Sequence, residues 1–197
     1  MDLNKFTIKA QEAIQESITI ASTNGQQAVE NGHLLKAIFD KGESVVSFIF
    51  GKAGANAEQV KQILDSILQS YPKTQGDSQP YLSNDSRKTL TESLSIASKL
   101  KDQYVALEHI FCAMVGAKDQ VGQMLKDSGL TESVLLKAIQ ELHKGEHVKS
   151  QTAEDTYQAL DRFAINLNKM ASEGKLDPVI GRDDEIRRIL QVLSRRT

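Results

Sequence analysis

The sequence predicts an all-α protein: one four-helix unit repeated with pseudo-twofold symmetry, then a linker and a helical tail. Three observations predict it. The heptapeptide ESITIAS at 16–22 returns as ESLSIAS at 92–98, an offset of 76 (92 − 16), with five of seven residues identical. Apolar residues recur at three- and four-residue steps, the period of a helix face. The prolines Pro72, Pro80 and Pro178 fall between candidate helices, and no stretch alternates as a half-buried strand would.

The offset of 76 also pairs Val29 with Val105, His33 with His109, Leu34 with Ile110, Leu35 with Phe111 and Ala37 with Ala113. After a one-residue deletion, Gly54 pairs with Gly129, Val60 with Leu135, Leu64 with Ile139 and Ile67 with Leu142. The copies span about 3–70 and 80–143, within a duplicated domain at 1–145. In the first, Phe6, Ala10, Ala13, Ile14, Ser17, Ile18 and Ala21 share one helix face, which Asn24-Gly25 closes. Leu34, Leu35, Ile38 and Phe39 form a second helix that ends near Gly42. Ser44 is the expected cap of a third helix, with Val45, Ile49 and Phe50. Asn56 is the expected cap of a fourth, with Val60, Ile63, Leu64, Ile67 and Leu68. The second copy starts at Ser83 or Asn84, and Thr131 caps its last helix. Neither unit alone offers much core, so the two are expected to fold together.

Residues 71–80 carry two prolines and read as a loop. Residues 144–152 read as a polar, mobile linker, opening a segment at 146–197 that departs from the repeats. The 24 basic and 26 acidic residues give a net charge of −2, which argues against a nucleic-acid or polybasic membrane binder. One cysteine forms no internal disulfide. The N-terminus lacks the basic start and apolar run of a signal peptide, so a cytoplasmic location is expected.

The tail reads TYQAL at 156–160 and GKLDPVIGRDDEIRR at 174–188. These motifs resemble the beginning of the first AAA+ module of the ClpB-type disaggregases, in the Clp ATPase family, and the duplicated region resembles that family's N-terminal repeat domain. The TYQAL segment looks more like ClpB than like ClpC or ClpA. The resemblance implies a substrate-handling domain of a chaperone that threads stress-denatured proteins. It implies clients that are unfolded or aggregated, the DnaK chaperone system as a partner of the parent protein, a homohexameric parent and a monomeric isolated chain. It implies ATP and magnesium in the parent. A phosphate-cradling loop needs GxxxxGK[ST], whereas Gly51-Lys52 is followed by Ala53 and Gly174-Lys175 by Leu176. This chain is therefore expected to hold no cofactor and to perform no catalysis, with the loop beginning beyond Thr197. The alternatives are an adaptor-docking domain of a protease-coupled Clp unfoldase and a stand-alone peptide-binding module.

By the same resemblance, Thr7, Asp102 and Glu108 match polar positions of the client-binding surface and Leu90 an apolar one, while Val179 and Ile180 match the adenine side of the ATP site. Bland readings stand beside these: a helix cap for Thr7, core for Leu90, and a partly exposed helix-start carboxylate for Glu108. His33 and His109 read as helix-start residues, since no ligand cluster accompanies them in the sequence and no metal site is expected. Cys112 reads as a small buried hydrophobe. Asp183, with Asp184 and Glu185 behind it, reads as the cap of a last helix carrying Ile186, Ile189, Leu190 and Leu193.

Overall fold

Several helices begin where a polar residue leaves the chain extended and offers an acceptor to the helix's first amides. The computed structural model describes residues 2–74, 79–143, 145–156, 167–172, 174–175 and 181–195. Thr7 accepts the Ala10 amide and opens α1, Ile8–Thr23. α2, Asn31–Lys41, closes at Gly42, which also starts α3, Glu43–Ala53. Gly42, not Ser44, is thus the cap of α3. Asn56 accepts the Glu58 and Gln59 amides and opens α4, Ala57–Ser70. In the second copy Ser83 accepts the Ser86 amide and opens α5, Asn84–Lys99. α6, Leu107–Gly116, α7, Gln120–Asp127, and α8, Glu132–His143, complete the repeat. Thr131 Oγ1 accepts the Val134 amide at the start of α8.

The repeats interlock. α3 packs on α8 and α4 on α7. A single core holds Phe6, Leu34, Leu35, Ile49 and Leu64 from one copy with Leu90, Ile110, Phe111, Leu125 and Ile139 from the other. Each copy also lends an extended residue to its sibling. β1, Ala28–Val29, pairs in parallel with β2, Tyr81–Leu82, and Phe6 bridges Val105. At the offset of 76, Phe6 corresponds to Leu82 and Val29 to Val105, so the two pairings are symmetry mates. Their hydrogen bonds match: Thr7 N–H donates to Val105 O at 2.9 Å and Ser83 N–H to Val29 O at 3.0 Å. Two-residue strands are too short to show alternation, which hid them from the sequence.

The first compact unit runs from Met1 to Gln158, well past the boundary expected at 145. Residues 145–154 lie on the repeat domain, with Val148 buried, and the short helix α9, Ala153–Thr156, follows. The mobile linker expected at 144–152 is corrected here: its backbone bonds to the repeats, as the site geometry shows.

The second unit, Ala159–Thr197, contains α10, Leu167–Ser172, and α11, Asp183–Leu193. Gly174, at φ +65°, closes α10, with Lys175 N–H returning to Met170 O at 2.9 Å. Arg182, not Asp183, occupies the cap of α11, while Asp183, Asp184 and Glu185 fill its first turn. Val179, Ile180 and most of TYQAL lie outside the described residues, so the adenine-side expectation does too.

Candidate functional site

Both repeats build the same corner after their first helix. α1 ends, Gly25 turns left-handed at φ +69°, and Gln26 N–H returns to Ala21 O at 2.8 Å. α5 ends, Lys101 turns at φ +63°, and Asp102 N–H returns to Ala97 O at 2.9 Å. This closure aims Gln26 and Asp102 at the start of the next helix. There Nδ1 of His33 accepts the Glu30 amide and Nδ1 of His109 the Ala106 amide, each at 2.9 Å. A ring nitrogen that accepts an N–H leaves its proton on the other one. Nε2–H therefore donates to Gln26 Oε1 at 2.8 Å in the first copy and to Asp102 Oδ2 at 3.0 Å in the second. Both histidines set a helix start.

The copies then diverge. Gln26 Nε2 donates to Leu68 O at 2.6 Å, and the Tyr71 ring lies 5.3 Å from that of His33. Burial pushes the His33 pKa down to about 4. In the second copy His143 takes the place of Tyr71, its ring 5.9 Å from His109. His143 Nε2 meets Glu108 Oε1 at 2.7 Å and Nδ1 lies 3.8 Å from Asp102 Oδ2. Burial opposes its charge, but the Glu108 bond and the charges of Glu108, Asp102 and Glu154 hold its pKa above the ordinary value. Burial would likewise lift both acids. Hydrogen bonds, from His143 to Glu108 and from His109 and Val148 to Asp102, together with nearby histidine charge, hold them below the usual carboxylate range.

A third acid joins from beyond the repeats. Glu154 Oε1 accepts Thr7 Oγ1–H at 2.8 Å and the Leu107 amide at 3.0 Å. Burial, and then the charge of Glu108, pushes its pKa up to about 7.

Thr7, Leu90 and Glu108 are 0% exposed, and the Asp102 side chain is buried. The expectation that Asp102 and Glu108 rim an open groove is thereby corrected: buried beside His109 and His143, they offer no surface to a client. Thr7 caps α1 and Leu90 is core, as their bland readings have it. The view that no ligand-type cluster accompanies His109 is also corrected. Asp102, His109 and His143 bring potential ligand atoms within 4.8 Å of one another. Chemistry disfavours a cation there, because the His109 nitrogen facing the cluster carries the proton and has no free lone pair. Sequence reading missed His143, Val148 and Glu154. For His143 a signal existed: at the later offset of 75 (143 − 68) it stands where the first copy has Leu68.

An open feature lies elsewhere. A groove of about 500 Å³ runs between α5 and α6. Ile96, Cys112 and Ala113 line it, and Asp85, Lys88, Glu92, Lys118 and Glu132 border it. Burial pushes the Cys112 thiol up to about 12, so it is not a nucleophile. On the first copy the equivalent face is spanned by Lys41 and Glu16, 3.8 Å apart. Ala117 replaces Lys41 in the second copy, leaving Glu92, the counterpart of Glu16, without that cation.

Residues 5–128 match the model of the Clp repeat (R) N-terminal domain. The chain belongs to this family. It is 50% identical over its whole length to the chaperone protein ClpB of Bacteroides thetaiotaomicron and 47% identical to that of Porphyromonas gingivalis. The chain spans 23% of the length of each of these relatives. The Hsp104 N-terminal domain from Candida albicans shares the fold, with a TM-score of 0.66 at 22% identity over 76% of this chain and 99% of that one. A ClpV N-domain in complex with a VipB peptide does so with a TM-score of 0.59 at 20% identity, over 70% of this chain and 86% of that one. The Clp N-domain is a non-catalytic chaperone domain. No described helix of this one is long and apolar enough to cross a membrane.

Proposed function

We propose that this Clp N-domain captures exposed segments of unfolded or aggregated proteins for an ATP-driven, hexameric threading chaperone. The α5–α6 groove carries this reading: its lining is apolar and its border mixes acid and base, which suits sequence-tolerant capture of an apolar segment with charged flanks. The ClpV N-domain with its bound peptide supports peptide capture on this fold. ATP, magnesium and the DnaK system belong to the rest of the parent protein, placed in the cytoplasm. An adaptor would dock by the same groove in a protease-coupled relative.

Restoring the first copy's closed arrangement tests the proposal. Ala117→Lys sets a cation beside Glu92, and titration of this chain with a denatured client should then show about tenfold weaker binding than the micromolar affinity expected of so small a groove. Unchanged binding, with chemical shifts unperturbed along α5 and α6 in the wild type, would remove the groove from the function.

A further inference from the structure

Residues 145–154 cross the starts of α1 and α6, one helix from each repeat. Val148 N–H donates to Asp102 Oδ1 at 2.7 Å, and Val148 O accepts the Gln103 amide at 2.9 Å. Gln151 O accepts the Ile8 amide at 2.9 Å, and Gln151 Nε2 donates to Asn4 O at 3.1 Å. Glu154 accepts Thr7 Oγ1–H and the Leu107 amide. The segment thus serves the first amides of α1 and α6, donors that no residue within those helices can satisfy.

We propose that residues 145–154 form a detachable strap, clasped by Asp102 on Val148 and by Glu154 on Thr7 and Leu107, whose docking shortens the tether that leads away from the N-domain.

Its composition argues for detachment. The stretch GEHVKSQTAE is polar, and Val148 is its one buried apolar side chain among the described residues. Docking also carries the Glu154 carboxyl out of water to a place beside the Glu108 charge. Its Oε2 has no hydrogen-bond partner among the described residues. A segment held by so little apolar burial belongs to the low-stability end of a fold. Released, ten residues reach about 30 Å, at roughly 3.3 Å each.

The first repeat shows what a permanent version looks like. There the last turn of α4 and its cap residue give Gln26 the Leu68 and Tyr71 carbonyls, and the chain then returns to the domain as β2. Among the described residues, the second repeat's segment has no strand to anchor it.

The test uses the 197-residue chain and is independent of the client groove. In the Glu154→Ala variant, tryptic cleavage after Lys149 should accelerate at least tenfold, and heteronuclear NOEs at 146–154 should fall to free-chain values. Thermal unfolding of the core should stay put. Glu154→Gln, which keeps the carbonyl-type acceptor, should remain within twofold of wild type in cleavage. Val148→Ser, which keeps the backbone clasp but removes the segment's one buried apolar side chain among the described residues, should shift both readouts in the same direction as Glu154→Ala. The proposal is overturned if Glu154→Ala changes neither readout, or if the strap leaves only when the core unfolds with it.

Discussion

The two repeats share a backbone plan down to single hydrogen bonds, yet one corner is neutral and the other charged. Gln26, His33 and Tyr71 close the first with amide and phenol groups, while Asp102, His109, His143 and Glu108 close the second with carboxylates and imidazoles. Gly32 stands where the second copy has Glu108, and a Cβ there would fall 2.7 Å from Tyr71 Oη. The tyrosine and the Glu108–His143 pair therefore exclude one another at this position. Gln26 donates to carbonyls, whereas Asp102 accepts from Val148; the acid gives the second repeat an acceptor for a chain that arrives with its N–H foremost. Duplication supplied the corner, and divergence converted one copy into the anchor of the outgoing strap.

The comparison breaks most visibly at His143. Replacing it by alanine removes the cation facing Glu108 and Asp102, and breaking a buried charge pair costs about 3–5 kcal/mol. Tyr71→Phe, which deletes one neutral hydroxyl from the other corner, should cost about 1 kcal/mol. Urea unfolding of both variants measures the contrast. Equal losses would mean that the charges are as dispensable as the phenol.

Next in size is the response to pH, which has opposite signs in the two corners. His33 is depressed from 6.5 to about 4, so the unfolded chain takes up a proton that the folded one refuses. Its contribution is present above 6.5 and is lost as pH falls towards 4, about 3 kcal/mol in all. His143 is raised, so its contribution is present below 6.5 and is lost as pH climbs through its higher value. Glu154, raised from 4.5 to about 7, acts in the same direction: its contribution is full below 4.5 and lost as pH rises through 7. His33→Gln should flatten the acid side of the stability curve, and His143→Gln the alkaline side. Stability measured between pH 4.5 and 8.5 checks both limbs. A variant that flattens the wrong limb would reverse the assignment.

The helices and their duplication were legible in the sequence because period and caps are local signals. Asn24-Gly25, Asn56 and Thr131 mark ends that the structure keeps. Ser44 misled because Gly42 already closes one helix and opens the next. The polar site was legible only in part. Thr7, Asp102 and Glu108 were singled out, but burial depends on the sibling repeat and on a strap that returns from 145–154. A stretch as polar as GEHVKSQTAE reads as free linker until its backbone partners are known, and those partners are helix-start amides that any acceptor would suit. Glu154 had no local mark of its role.

The smallest expected difference tests the corner itself. Gly25 and Lys101 occupy the same left-handed position, φ +69° and +63°, and only one is a glycine. A Cβ at Gly25 would meet nothing within 4 Å, so Gly25→Ala probes backbone strain alone. It should cost about 1 kcal/mol. Lys101→Gly should relieve strain of about 1–2 kcal/mol but loosen the unfolded chain by about 0.5–1 kcal/mol, leaving a gain of no more than about 1.5 kcal/mol. Thermal unfolding of the two variants reads opposite signs if the repeats are backbone equivalents. A loss at Lys101→Gly would show instead that the lysine side chain holds the corner that delivers Asp102 to His109.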